Sequence, residues 1–276
     1  MSFEAHAQAH GLILRHAIPD GRWHRVPTID KPRKRNGAYV YDGNTGSVRN
    51  WATMESFAFW TNGRRTAVPQ MFTVNKDIER EQQAAAVKAK EMLQRAVFTN
   101  HGYLKSKGFP LLKGLVLDEE LLIPMRDYKS YKDVLSVQRI KEDGTKRFLY
   151  QGRSKGAVFI LNQEHQHKEV WLVEGYATGL SVQAALKSLY RDAAVVVCFS
   201  ASNMVYVGKR LHTKCYAVAD NDTSGTGQRC AEELGVRWGM SEREGEDAND
   251  LHSRAGLAAV RQLVRSVVEV GDGVRG

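Results

Sequence analysis

Two aspartates, Asp220 and Asp222, stand two residues apart after the apolar run Tyr216-Ala-Val-Ala. Such a run reads as a strand, and alternate residues at its end share a face, so both carboxylates could reach one divalent cation. A hard ion such as Mg²⁺ or Mn²⁺ takes a few carboxylate oxygens and completes its shell with water and phosphate. The segment continues Thr-Ser-Gly225-Thr-Gly into a helix-like stretch ending at Leu234. Taken alone, it is therefore equally an Asx-rich turn that caps that helix. Glu174, which follows the apolar Val170–Val173, and the segment Glu246-Asp247-Ala-Asn249-Asp250 shift the balance. Five acidic groups, Glu174, Asp220, Asp222, Asp247 and Asp250, gathered on one edge repel one another unless a cation neutralises them. Capping makes no such demand.

The elements that must position these groups alternate in type. Strands are expected at 170–173, 193–199, 215–219 and 236–238, and helices at 178–189, 203–211, 227–234 and 255–269. Strand-helix repetition of this length predicts a parallel sheet with right-handed crossovers, whose working residues gather at the carboxyl ends of the strands. Before it lies a run of short strands at 115–117, 121–126, 134–140, 147–150 and 157–161, with Arg126, Arg139, Lys146, Arg147, Arg153 and Lys155 at strand ends and turns. A basic sheet beside a carboxylate site suits triphosphates or a template strand, and a solvated antiparallel face is the bland alternative. Val74–Phe98 reads as a polar helix serving as a linker or brace, and His101–Gly108 as a turn-helix-turn.

Residues 21–60 alternate apolar and polar positions between turns, as a small β-rich unit does. Arg22, Arg25, Arg33, Lys34, Arg35 and Arg49 interleave there with Trp23, Tyr39, Tyr41, Trp51 and Trp60, the mixture that grips unpaired bases and phosphates. Tyr39 and Trp51 are expected in the core of the sheet, and Lys31–Arg35 in an exposed loop. A helix at 3–11 carries His6 and His10 at helical spacing, expected on a solvated face because no third ligand accompanies them.

With 42% hydrophobic and 26% charged residues, the 276-residue chain is globular material. No run of 18 or more apolar residues suggests a membrane span, and the amino terminus lacks the layout of a signal peptide. Cys198, Cys215 and Cys230 are widely spaced and form no Cys-x-x-Cys pair, which suits buried thiols in a reducing cytoplasm. Charge is uneven: residues 1–113 carry 18 Lys+Arg against 9 Asp+Glu, and residues 161–276 carry 13 against 15. A basic front joined to a mildly acidic back suggests that one part holds a polyanion and the other does chemistry.

Trp171-Leu-Val-Glu174-Gly175-Tyr, Asp220-Asn-Asp222-Thr-Ser-Gly225 and Glu246-Asp247-Ala-Asn249-Asp250-Leu resemble, in order and spacing, the three motifs of the Toprim domain. Leu121-Leu-Ile-Pro-Met-Arg126-Asp127, Leu135-Ser-Val-Gln-Arg139-Ile and Asp143-Gly-Thr-Lys146-Arg147-Phe-Leu resemble the basic subdomain that precedes it in bacterial replicative primases, nearest the phage- and plasmid-encoded branch. His101-Gly-Tyr-Leu and Ser200-Ala-Ser-Asn203-Met also fit that group. The resemblance covers roughly 100–255 well and 1–100 loosely.

It implies an α/β protein in four parts: a basic β-rich domain (1–72), a helical linker (73–113), a basic strand-rich α+β subdomain (114–162) and a Rossmann-like Toprim catalytic domain (163–276). It implies a cytoplasmic DNA primase that makes short RNA primers on single-stranded DNA, using ribonucleoside triphosphates and two Mg²⁺ or Mn²⁺ ions, with a replicative helicase as candidate partner and no membrane. Asp220 and Asp222 would hold the cations, Asp247 and Asp250 complete the shell, and Glu174 act as ligand or base. Arg139, Lys146, Arg147, Arg153, Lys155 and Asn203 would contact nucleotide or template. The alternatives are a metal-dependent Toprim nuclease and a non-catalytic DNA-binding clamp. The chain departs from the pattern at Thr178, where an acidic residue often stands. No cysteine precedes Cys198 to build the family's zinc ribbon, and no Gly-x-x-x-x-Gly-Lys-Ser/Thr loop signals a fused helicase motor.

Overall fold

In a computed structural model of the chain, residues 2–50, 55–60, 70–162 and 167–269 are described. The chain separates into two compact units, Met1–Phe72 and Thr73–Gly276.

The first unit opens with α1 (Phe3–Ala9), capped by Ser2, whose hydroxyl accepts the Ala5 N–H. Strands β1 (His24–Val26), β2 (Gly37–Tyr41), β3 (Thr45–Asn50) and β4 (Glu55–Trp60) then pair antiparallel in that order. Inward-facing Tyr39, Val48 and Phe59 form one core with Phe3, Ala7 and Leu12. Tyr39 is a core ring, with its hydroxyl accepting the Ile18 N–H. Trp51 and the Trp60 side chain lie outside the described residues. Trp23 is exposed, with the Arg49 guanidinium 5.9 Å from its ring, and Lys31–Arg35 is an exposed loop. The solvated face expected for His6 and His10 is not what forms. His10 stacks on Phe57 at 3.5 Å and His6 leans on Phe59 at 5.3 Å, so both imidazoles pack on rings of β4.

The second unit contains most of α2 (Gln70–Arg95), then β5 (Val97–Asn100), α3 (Gly102–Ser106), β6 (Lys113–Leu117), β7 (Glu120–Asp127), β8 (Val134–Ile140), β9 (Lys146–Phe148) and β10 (Ala157–Leu161). The alternating part follows as β11 (Glu169–Val173), α4 (Tyr176–Ser188), β12 (Ala193–Val197), α5 (Ala201–Gly208), β13 (Cys215–Val218), α6 (Thr226–Leu234), β14 (Arg237–Gly239) and α7 (Ala248–Glu269). The segment expected to be helical to Phe98 turns to strand after Arg95, where Val97, Phe98 and Thr99 favour extended backbone. The 73–113 stretch is accordingly part helix and part sheet. The helix expected from 255 starts earlier, at Ala248, and is interrupted at Gly256, whose φ of +77° breaks the helical path.

Ten strands make one mixed sheet in the order β14-β13-β11-β12-β10-β7-β6-β5, with β8 on β7 and β9 on β8. Neighbours among β12, β11, β13 and β14 are parallel. The sheet is not parallel throughout, because β10 runs antiparallel to both β12 and β7. The basic strands and the alternating strands are thereby joined into one sheet by main-chain hydrogen bonds.

Side chains alternate between its faces as strand periodicity requires. Trp171, Val173, Val195, Val197, Tyr216 and Val218 pack with α4, α7 and α3. Leu172, Val196 and Ala217 pack instead with Met204 and Val207 of α5 and Leu234 of α6. Beside them, α2 lays Ala85 and Ala89 over Leu122, Val134 and Val137. Trp171 is fully buried, stacks on Tyr216 at 4.8 Å and donates its indole N–H to Glu169 Oε1 at 3.1 Å, while Arg191 forks onto the same carboxylate. Trp171→Ala should therefore cost about 3–5 kcal/mol, read as a lower urea midpoint at unchanged slope.

Candidate active site

Where an open sheet reverses the direction in which its strands are added, two neighbouring strands send their helices to opposite sides and leave a crevice at their carboxyl ends. Here those strands are β11, which leads through α4 to β12, and β13, which leads through α6 to β14 on the other side. Val173 pairs with Val218. Glu174 follows one of them directly, and Asp220 lies two residues past the other. The two acids thus meet at the crevice by register alone.

Their electrostatics show the strain of that meeting. Burial, followed by the Asp222 charge, raises the Glu174 carboxyl, against which Lys146 and the Ala201 N–H work. Burial, with the charges of Glu174 and Asp247, pushes Asp220 up to about 7, and Lys146 again opposes. Asp220 Oδ1 is buried with no hydrogen-bond partner. A buried acceptor left unpaired costs about 1–3 kcal/mol, more when charged, so this oxygen calls for a cation or a proton.

The remaining carboxylates are occupied differently. Asp222 accepts the N–H groups of Ser224 (2.9 Å), Thr226 (3.2 Å) and Gly227 (2.8 Å), and also the Ser224 hydroxyl. Burial works to raise it, yet the Ser224, Gly227 and Thr226 bonds prevail and hold it below the usual aspartate value. Asp247 Oδ1 accepts from Asn249 and Asp250 N–H at 2.6 and 2.9 Å, while Asp250 Oδ2 accepts the Asp247 N–H at 3.3 Å and Oδ1 stands 3.8 Å from Lys107 Nζ. This is a reciprocal cap at the start of α7. Capping therefore accounts for one role of Asp222, Asp247 and Asp250, while the charges of Asp222 and Asp247 still reach Glu174.

Among the described residues, no three His, Cys, Asp or Glu side chains are placed to grip one metal ion. A Zn²⁺ or Ca²⁺ cage therefore does not fit. Mg²⁺ or Mn²⁺ does, because such ions bind through one or two carboxylates and take water and substrate phosphate for the rest. Asp220, with its unpaired oxygen, and Glu174 are the groups that would hold it.

Among the basic residues, the charge of Lys146 reaches both Glu174 and Asp220. Arg139 is paired with Glu120 at 2.6 Å, across the sheet from the exposed Arg147. Arg153 lies 3.6 Å from Asp127, and Lys155 is over the Tyr206 ring at 4.8 Å. Asn203 uses its whole amide internally, accepting the Gly156 N–H and donating to Ala157 and Cys198 carbonyls. It positions the turn before β10 and offers no ligand contact. Thr178 is buried in the first turn of α4 with its hydroxyl unpartnered.

Four residues at the site escape sequence reasoning. A cleft of ≈ 620 Å³ is lined by Tyr103, Lys107, Glu142 and Lys146 among others. The Tyr103 hydroxyl is buried and unpartnered, and its acidity is suppressed first by burial and then by the Asp247 charge. Lys107 enters through its contact with Asp250. Asn221, between the two aspartates, ties their turn to the 241–247 loop by donating to Ser241 O at 2.9 Å and accepting from Gly245 N–H at 2.5 Å. In that loop Arg254 forks onto Glu246 at 2.6 and 2.9 Å, and this pairing, with the Ser241 hydroxyl, lowers Glu246 to about 2. Only the Asp-Asn-Asp and Glu-Asp spacings hinted at this brace.

No family model matches the chain. In alignments of 222 positions that cover 72% of this chain, it is 28% identical to a DNA primase TraC of Escherichia coli and 27% identical to a second protein of that name and organism. The chain is a sequence relative of DNA primases. It spans 20% and 15% of the length of those two relatives. Among solved structures it has a distant likeness to the primase fragment of the bacteriophage T7 primase-helicase protein (12% identity, TM-score 0.42, 87% of this chain and 98% of that one). A second is to the DnaG catalytic core (13%, TM-score 0.38, 74% of each).

Proposed function

We propose that this protein synthesises RNA primers on single-stranded DNA through a Toprim-type, metal-dependent nucleotidyl transfer. The observation that carries the reading is the buried, unpaired Asp220 carboxylate beside Glu174 at the sheet's switch point, in a chain whose sequence relatives are primases. When bound, Mg²⁺ or Mn²⁺ would supply charge neutralisation for the triphosphate and for the attacking hydroxyl. Asp220 and Glu174 would hold it. Glu174, with its raised affinity for a proton, is suited to take the proton of the 3′-hydroxyl at one carboxylate oxygen. Lys146 offers its ammonium to phosphate oxygens in the cleft beside them. Asp222, Asp247 and Asp250 hold the helix starts that frame the crevice and keep its shape while charge builds up.

The test is incubation of the protein with Mg²⁺ or Mn²⁺, labelled ribonucleotides and single-stranded DNA. Labelled oligoribonucleotides that disappear with Asp220→Ala support the reading. Shortened DNA without incorporation indicates a nuclease, and DNA binding with neither product indicates a clamp.

A further inference from the structure

Helix α5 connects two different environments. Its amino end lies at the acidic crevice, where the Ala201 N–H lowers the Glu174 carboxyl. Its Asn203 holds the segment before β10, and its carboxyl end, eight residues and about 12 Å from the start at 1.5 Å per residue, lies by the β7–β8 turn. There the Tyr128 and Tyr206 rings meet edge to face at 6.0 Å. Gly156 passes close beside both: a Cβ on it would lie 3.2 Å from Tyr128 and 3.4 Å from Tyr206, and its φ is +76°. The two rings are thus fixed against the main chain.

Cations cover them. The Arg210 Cζ is 3.9 Å from the Tyr206 centroid and Lys155 Nζ is 4.8 Å from it, while Lys129 Nζ is 5.9 Å from the Tyr128 centroid. Arg126 Cζ is 5.9 Å from neighbouring Tyr131. Lys129, Lys155 and Arg210 are exposed. The carboxylates nearby are engaged elsewhere: Asp127 by Arg153 and the Lys129 and Ser130 N–H groups, Asp133 by the Ser130 hydroxyl, and Glu233 by Lys209. Arg126, Lys129, Arg153, Lys155, Lys209 and Arg210 outnumber these carboxylates, so the surface carries an excess of positive charge.

We propose that this strip, from Tyr128 and Lys129 to Tyr206 and Arg210, binds single-stranded nucleic acid. A guanidinium lying on an aromatic ring has its second face free for an unpaired base, and its N–H edge available to phosphate. Arg210 is held in that pose by its own bond to Tyr206 O at 2.8 Å. Lys129 and Lys155 flank it as phosphate contacts. A duplex has its base faces already stacked and uses only the charge, and an acidic peptide has no use for the platform. A strand held here lies one short helix from Glu174. The strip rests on the proposed function only for which strand it holds, template or primer.

The test is fluorescence anisotropy with oligothymidylate, oligouridylate and a duplex, in chelator and without nucleotides. The Lys129→Glu/Arg210→Glu protein should bind either single strand at least tenfold more weakly, with the slope of log affinity on log salt reduced by about 1.4, as losing two phosphate contacts requires. Tyr206→Leu should weaken binding at least fivefold, the low end of one lost stack. Alanine versions, checked by thermal melts, replace any variant that does not fold. Tighter binding of oligothymidylate assigns the strip to the template, and of oligouridylate to the primer. Affinity and salt slope unchanged in the double variant would overturn the proposal, as would duplex or polyglutamate competing as well as single strands. Strip variants that bind normally while Asp220→Ala loses primers sink this inference alone, and a strip that binds strands in a protein making no primers sinks only the primase reading.

Discussion

Freed of divalent cations, an Asp220→Asn protein should melt at a higher temperature than the wild type in mildly alkaline buffer, and the gap should close as the pH falls towards 3.8. The folded chain holds the Asp220 proton up to about 7, against an ordinary value of 3.8. Below 3.8 the carboxyl is neutral in both folded and unfolded chains and costs nothing. Between 3.8 and about 7 the unfolded chain gives up its proton while the folded one keeps it, so wild-type stability drops as pH rises through that window and stays low above it. Full ionisation is worth about 4 kcal/mol at most. Asparagine has no charge to bury and escapes this loss. Adding Mg²⁺ or Mn²⁺ should then raise the wild-type melting temperature and leave the variant nearly unmoved, because the ion relieves the repulsion that the variant lacks. Primer synthesis should fall by on the order of 10³-fold, in line with the loss of a group that stabilises transition-state charge. Equal melting temperatures in chelator, with equal responses to the ions, would show that Asp220 is not the ligand.

Gly227→Ala should disable the site without touching an acidic residue. A Cβ on Gly227 would lie 2.1 Å from the Asp220 carbonyl oxygen, and 3.2 and 3.3 Å from its C and N. These are main-chain atoms at the start of the turn, so no side chain can move aside. The Gly227 N–H also donates to Asp222 Oδ2 at 2.8 Å, which clamps α6 against the turn from the other side. The methyl group must push α6 and the Asp220 backbone apart, at a cost of about 1–3 kcal/mol. Displacement of Asp220 by about 1 Å should cost on the order of 10²-fold in primer synthesis. The melting temperature should drop modestly and the stabilisation by Mg²⁺ should shrink. A variant with wild-type synthesis and Mg²⁺ response would mean that the turn tolerates the shift.

Much of the alternating part was legible because its signal is periodic. The apolar runs at Trp171–Val173, Ala193–Val197 and Tyr216–Val218 are strands buried on both faces, and Glu174 and Asp220 come within two residues of the ends of the first and last. The long α2 was visible in its composition, but its end was not, since Val97 and Phe98 fit a helix until β6 offers them an edge to pair with. That β10 joins the two groups of strands was hidden, because pairing partners are chosen across the sheet and not along the chain. Lys146 was singled out by its place at a strand end, yet sequence could not tell that Arg139 answers Glu120 or that Asn203 is consumed by the turn at Gly156.

The Asp220-Asn-Asp222 turn divides the two kinds of information. Residue type and spacing by themselves determined that two carboxylates follow a buried strand and precede a helix, and left cation site and helix cap equally weighted. Tertiary structure set the two residues apart. Asp222 lies where the first N–H groups of α6 converge, so its charge is satisfied by the chain. Asp220 is buried beside Glu174 with an oxygen that no donor reaches. Hydrogen bonding and desolvation depend on distances that the fold alone sets, and a difference of two positions in sequence separates a carboxylate that holds a helix from one left to a proton or a cation.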